Sequence, residues 1–283
     1  MTQKIAFLGT GLLGSAFVEA AAGRGENISV WNRTADKARA LETFGVRVAA
    51  TPADAVQGAS FVHLVLKDDA VVEEVVVALR PGLERDSIIL DHTTTQPTLT
   101  AARSRRLNAE GVRYLHCPVF IGPEAARKAR GTILAAGPES LFEAAGPHLS
   151  RMASRVQYFG ERPDLAAVYK LCGNAFIIGM SALVADVLAV AAGSDVDLVE
   201  AMKVISYFDP AAVITGRGRK ILSADFAPSF ELAMARKDVR LMMEAAGAQS
   251  LATLPSIAAR MDELIAEGYG ADDIAVIGRG TVR

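Results

Sequence analysis

One apolar run, from Leu165 to Ala192, constrains this chain more than any other stretch, because only Lys170 and Asp186 put charge into it. Pro163 and Asp164 suit a first helical turn and Gly193 suits the residue after the last, so the run reads as a single helix. About 28 residues at 1.5 Å rise would extend roughly 42 Å, more than one domain needs. A helix apolar nearly all round must be covered on most sides. We therefore read it as a buried spine between the domain before it and the domain after it. The length also suits a membrane crossing. Asn174 and Asp186 within the run oppose that reading, as does the lack of any other membrane-like stretch, and no membrane is expected.

Lys170 and Asn174 are four residues apart and share a helix face, whereas Asp186 lies about 160° round the axis from Lys170. An ammonium buried without a partner is costly and readily shifts its pKa, which makes Lys170 a candidate catalytic group. A second reading has its stem snorkelling to solvent from the first turns.

At 283 residues and 51% hydrophobic content the chain can build two cored domains. Thirty basic against 32 acidic residues leave a formal charge of −2 with no basic block, which argues against nucleic acid and anionic membranes as partners and favours a small molecule. Cys117 and Cys172 have neither disulfide-framework nor zinc-site spacing, and no metal is expected. Without a charged n-region, apolar h-region and cleavage site at its start, the protein is expected in the reducing cytoplasm.

The first residues form an apolar strand that breaks at Gly9-Thr10-Gly11-Leu12-Leu13-Gly14 and resumes as an Ala-rich helix. Strand, G-x-G-x-x-G, helix is the dinucleotide fingerprint: the first glycine makes the turn, the second admits the pyrophosphate, and the third lets helix pack on strand. The bland counterpart is an ordinary glycine turn. After the next strand, Asn27 to Trp31, an NAD-specific site would carry an acid, and here the sequence is Asn32-Arg33-Thr34. Asn32, Arg33 and Thr34, with charge from Lys37, suit a 2′-phosphate, so NADP(H) is the expected cofactor. The other reading makes Arg33 a solvated loop residue and Thr34 an N-cap for a helix over 35–44. Alternation continues through strands at 61–66 and 87–91, the pattern of a doubly wound sheet. Leu66 and Lys67, and the loop 91–97 with Thr95, follow strand C-termini and are expected to line the cofactor crevice. His63 and His116 fall within strands and read as packed; His92, in a loop, has the better claim to a role. Beyond the spine only helices are expected, over 196–206, 211–220, 230–246 and 254–267. The expected organisation is a Rossmann domain at 1–162, an interdomain helix at 163–192 and an all-α domain at 193–283.

In the order of its motifs the whole chain resembles the β-hydroxyacid dehydrogenase family, which includes 3-hydroxyisobutyrate dehydrogenases and glyoxylate or succinic semialdehyde reductases. The glycine loop and Asn32-Arg33-Thr34 are similar to its NADPH-using members, and Asp91 to Pro97 resembles its loop by the nicotinamide. Lys170-Leu-Cys-Gly-Asn174 matches the catalytic K-x-x-x-N, and Phe230 to Asp238 matches a C-terminal helix with a Lys-Asp pair. The resemblance implies that Lys170 protonates the substrate oxygen as hydride arrives, that Asn174 orients Lys170 or binds the substrate oxygen, and that Lys237 closes over cofactor or substrate. For Lys237 the alternative is a simple pair with Asp238. The family usually has Asp-Ala-Pro-Val-Ser-Gly-Gly where this chain has His116-Cys-Pro-Val-Phe-Ile-Gly122, so Phe120, Ile121 and Gly122 stand where relatives bind a carboxylate. We expect weak carboxylate recognition and a pocket that gains from apolar contact, unless both side chains turn into the core.

The resemblance implies NADPH-dependent reduction of a small aldehyde or keto acid. An imine reductase of the same architecture is the alternative, suited by Phe120 and Ile121 and opposed by Lys170. A non-enzymatic NADP(H) sensor would have no need of Lys170. By analogy with the family the protein is expected to be a homodimer or higher homo-oligomer.

Overall fold

The computed structural model describes residues 3–281. Strands and helices alternate as β1 (Lys4–Leu8), α1 (Leu12–Gly23), β2 (Asn27–Trp31), α2 (Ala35–Arg39), β3 (Arg47–Val48), α3 (Pro52–Val56), β4 (Ala59–Leu64), α4 (Asp69–Leu79), β5 (Ile88–Asp91), α5 (Pro97–Ala109) and β6 (Arg113–His116). The six strands are parallel in the order β3-β2-β1-β4-β5-β6, the Rossmann arrangement whose order reverses beside β1. The pleat divides the apolar residues between two faces. Ile5 and Phe7 join Phe17, Val30 and Leu90 on one side; Ala6 and Leu8 join Val62, Leu64 and Leu79 on the other. With helices covering both faces, β1 is apolar along its length and Ile5 to Leu8 are all buried.

The expected helix over 35–44 is shorter. It closes after Arg39, a 3-10 turn covers Glu42–Phe44, and Gly45 ends it in the left-handed region at φ 76°. A second sheet follows, from β7 (Val119–Phe120), α6 (Pro123–Arg127), β8 (Thr132–Ala135), α7 (Glu139–Leu149) and β9 (Arg155–Tyr158), in the order β7-β8-β9 with β7 antiparallel to β8.

The apolar run is one unbroken helix, α8 (Leu165–Gly193). The chain divides into two compact units within it, residues 1–174 and 175–283. The expectation that the helix is buried is corrected. Ala166, Ala167, Asp186, Ala189 and Ala191 are buried, but Phe176, Ile177, Ile178, Met180 and Leu183 are exposed, and so is Cys172. Apolar composition demands a cover, and the described residues do not supply it along the middle of the helix.

The remaining helices are α9 (Leu198–Ala201), α10 (Pro210–Ser223), α11 (Leu232–Ala246) and α12 (Leu254–Ala266). Asp186 ties α8 to the start of α12: its carboxylate accepts from the backbone N–H of Thr253 and Leu254 and from the Thr253 hydroxyl. That saturation explains why a carboxylate is tolerated in so apolar a helix.

Candidate active site

β1 runs into Gly9, which adopts φ 100°. A Cβ there would stand 2.2 Å from the Val65 carbonyl oxygen, and one at Gly14 would stand 2.0 Å from the carbonyl oxygen of Gly9, so neither position admits a side chain. A Cβ at Gly11 would meet nothing within 4 Å among the described residues. Its backbone is therefore open to a pyrophosphate at the N-terminus of α1, where unpaired N–H groups and the helix dipole favour an anion. The Thr10 hydroxyl, buried in the same loop, has no partner among the described residues. Cradle and orphan hydroxyl together fit a dinucleotide.

Beside this loop lies a cavity of about 370 Å³ whose wall includes Gly9, Gly11, Asn32, Arg33, Thr34, Leu66 and Lys67, so seven of the expected cofactor residues meet there. Asn32 acts first on the protein itself: its Oδ1 accepts from Thr10 N–H at 3.0 Å and its Nδ2 donates to the Thr34 carbonyl at 2.9 Å, clamping the glycine loop to the end of β2. Arg33 pairs with Glu74 at 2.5 Å, both largely exposed. Such a pair is worth about 0–1 kcal/mol, so the guanidinium is cheaply released to a doubly charged phosphate. Lys37 also lines the cavity. Trp31, Val65, Val71 and Val75 complete it and were missed from the sequence, although the rule that ligands gather past strand C-termini points to Trp31 and Val65.

Leu12, Leu13 and Thr95, also expected at the cofactor, do not line this cavity. Leu12 is exposed and Leu13 leans on the core. Thr95 is corrected more firmly: it is buried, and its hydroxyl is engaged by Thr100 at 2.6 Å and by His116 at 3.1 Å. Thr93, in the same loop, is also buried, and its hydroxyl accepts from Leu66 N–H at 3.1 Å. His92 is likewise buried, with both ring nitrogens occupied. A larger cavity of about 480 Å³ between α4 and α5 has its charge already paired, Arg103 binding Asp69 and Glu73.

Lys170 and Asn174 meet as their spacing requires, Nζ donating to Oδ1 at 2.9 Å. The ammonium also lies 4.4 Å from the centroid of the Phe120 ring. Lys170 is half-buried, and desolvation lowers its pKa from the usual lysine value. Phe120 and Ile121, expected to act together, part company. Ile121 packs against the main core, while Phe120 lies with Leu134, Ala136, Ala166 and Leu165. Gly122 is exposed at the head of α6, a helix too short to hold an anion by its dipole. In the second unit Lys237 pairs with Asp238 at 2.9 Å.

Residues 4–160 match the family model of the NAD binding domain of 6-phosphogluconate dehydrogenase, and residues 165–279 match that of the NAD-binding region of NADP-dependent 3-hydroxyisobutyrate dehydrogenase. Among curated proteins the chain is 28% identical over 254 residues to 3-sulfolactaldehyde reductase of Escherichia coli K12, covering 86% of this chain and 83% of that protein. It is 26% identical over 282 residues to the uncharacterized oxidoreductase YfjR of Bacillus subtilis, covering 97% and 98%. Among solved structures it resembles a reductive aminase from Aspergillus terreus in complex with NADPH and ethyl levulinate (22% identity, TM-score 0.86, 98% of each chain). It also resembles an imine reductase from Myxococcus stipitatus in complex with NADP+ (19% identity, TM-score 0.86, 98% of this chain and 99% of that one). At those identities the structural likeness concerns the fold alone. The glycine cradle and the two family models that between them span the chain agree: it belongs to the β-hydroxyacid dehydrogenase family and is an NAD(P)-dependent oxidoreductase.

Proposed function

We propose that the protein reduces the carbonyl of a small aldehyde or keto acid with NADPH, Lys170 supplying the proton. The observation that carries this reading is the Lys170–Asn174 pair, an ammonium in apolar surroundings with its pKa lowered toward the working range of a general acid. Held by the loop from Gly9 to Gly14 and the Arg33 side of the cavity, a nicotinamide dinucleotide would supply the hydride for the carbonyl carbon. Asn174 holds one N–H of Lys170, which leaves the ammonium two further donors. One of these hydrogen-bonds the carbonyl oxygen, stabilises the developing alkoxide and passes its proton to it. Gly9 to Gly14 hold the pyrophosphate, Arg33 with Thr34 and Lys37 takes the 2′-phosphate, and Leu66 and Lys67 border the dinucleotide.

The assignment of 1–162 to cofactor binding, 163–192 to the spine and 193–283 to the helical domain belongs to the same proposal. A second copy of the chain is the proposed cover for the exposed middle of α8, in a homodimer or higher homo-oligomer. α8 is also long and apolar enough to cross a membrane, but the Asp186 cap and the lysine pair within it favour a protein partner. A cytoplasmic setting is supported by two unpaired cysteines.

Reduction of C=N is the competing reaction. The Lys170 charge opposes it, since a protonated imine would bring a second cation into the same apolar site. The deciding experiment follows NADPH oxidation over aldehydes, 2-keto acids and cyclic imines. Aldehydes and keto acids are expected to lead, and turnover of imines alone would overturn the reading.

A further inference from the structure

β7 contributes two residues to its sheet, and the pleat sends them opposite ways. Val119 enters the main core; Phe120 crosses to the face that meets the first turns of α8. The ring comes to rest on the helix backbone itself. A Cβ on Gly173 would stand 2.2 Å from Phe120 Cζ and 2.7 Å from Cε1, so the ring tip occupies the space a side chain would have there. Gly173 is three residues from Lys170, on the same helix face, and that placement puts the ring beside the ammonium at 4.4 Å.

Lys170 therefore has two neighbours of different kinds. Asn174 Oδ1 accepts one N–H, and the electron-rich face of the Phe120 ring attracts the charge without accepting a directed bond. Desolvation drives Lys170 toward the neutral amine, and a ring quadrupole opposes this by favouring the ammonium. A hydroxyl in place of the ring would compete for the N–H groups that the substrate oxygen needs. The phenyl ring leaves them free and presents an apolar wall beside them.

We infer that Phe120, seated on Gly173, is a positioning and specificity residue: it keeps Lys170 protonated and aimed, and it selects carbonyl compounds with apolar rather than anionic substituents. This rests on the reading of Lys170 as proton donor and goes beyond it, because it assigns a role to the side chain that departs from the family's carboxylate-binding loop.

The test is the pH profile of kcat/KM for aldehyde reduction at saturating NADPH. A general acid loses activity as pH rises through its pKa, so the profile has a basic limb set by Lys170. Phe120→Met keeps apolar bulk without the π face, and the limb should move to lower pH by about half a unit to one unit. Gly173→Ala, which leaves the ring in the chain but takes its seat, should move it the same way. Combined with Phe120→Met it should add almost nothing, since the ring is already gone. A limb that stays in place or rises in both single variants overturns the proposal, and so do additive effects in the double variant, which mark plain packing. Lys170→Met separates the two claims. If it retains turnover, the proton-donor reading fails first; if it abolishes turnover while the Phe120 and Gly173 variants leave the limb unmoved, only the role of Phe120 fails. Phe120→Ser, which removes the apolar wall, should narrow the preference for an uncharged aldehyde over succinic semialdehyde.

Discussion

Two sets of titratable side chains sit in apolar surroundings in this protein, and they have opposite characters. His148, His63 and His92 form a chain through the core of the dinucleotide-binding unit, with His148 Nε2 to His63 Nε2 and His63 Nδ1 to His92 Nε2 both at 2.8 Å. The ends determine every tautomer. His92 Nδ1 lies 2.7 Å from the Cys117 carbonyl and must donate to it, and Arg151 donates to His148 Nδ1 at 3.0 Å. Each ring is then neutral with both nitrogens satisfied. Burial pushes all three pKa values down, to about 4 for His92 and about 3 for His148. Lys170, by contrast, is half-buried and charged and has donors to spare. A buried polar group whose valences are filled specifies a core, whereas one with a free valence facing a cleft can do chemistry.

The largest effect that tests this contrast is on turnover. Lys170→Met should lower kcat by on the order of 10²–10⁴, the size of general-acid and oxyanion contributions, with the dissociation constant for NADPH nearly unchanged. Near-native turnover would place Lys170 with the structural groups.

Next comes acid stability, where the histidines should respond. In the unfolded chain each titrates near 6.5. The folded values are depressed, so the unfolded state binds more protons as pH falls, and stability present above about 6.5 is lost below it. The loss should reach about 1 kcal/mol per histidine between pH 6 and pH 5. Trp31, the single tryptophan, reports on the same unit in urea unfolding followed by fluorescence. A midpoint independent of pH over that interval would remove the histidine chain from the energetics.

The smallest effect concerns the cofactor. Wild type should favour NADPH over NADH in kcat/KM by about tenfold or more, roughly 1.4 kcal/mol, and Arg33→Ala should erase most of that ratio. If wild type uses both cofactors equally, Arg33 belongs to Glu74 alone.

Local rules made much of this protein legible. The glycine spacing places two close approaches and one open backbone, and a separation of four residues brings Lys170 to Asn174. These depend only on dihedral freedom and helical repeat, which a sequence carries directly. Long-range packing governed the rest. Thr95 and His92 lie in a loop that the strand-end rule assigns to the cofactor, yet contacts with Thr100, His116 and His63 turn them inward. Phe120 and Ile121 are adjacent and similarly apolar, and their separation depends on which elements flank the two faces of β7, surfaces contributed by residues far along the chain. The composition of α8 shows that it needs a cover, while the folded chain shows which part of it goes uncovered: periodicity records that a surface is apolar, and only the meeting of distant segments settles what lies against it.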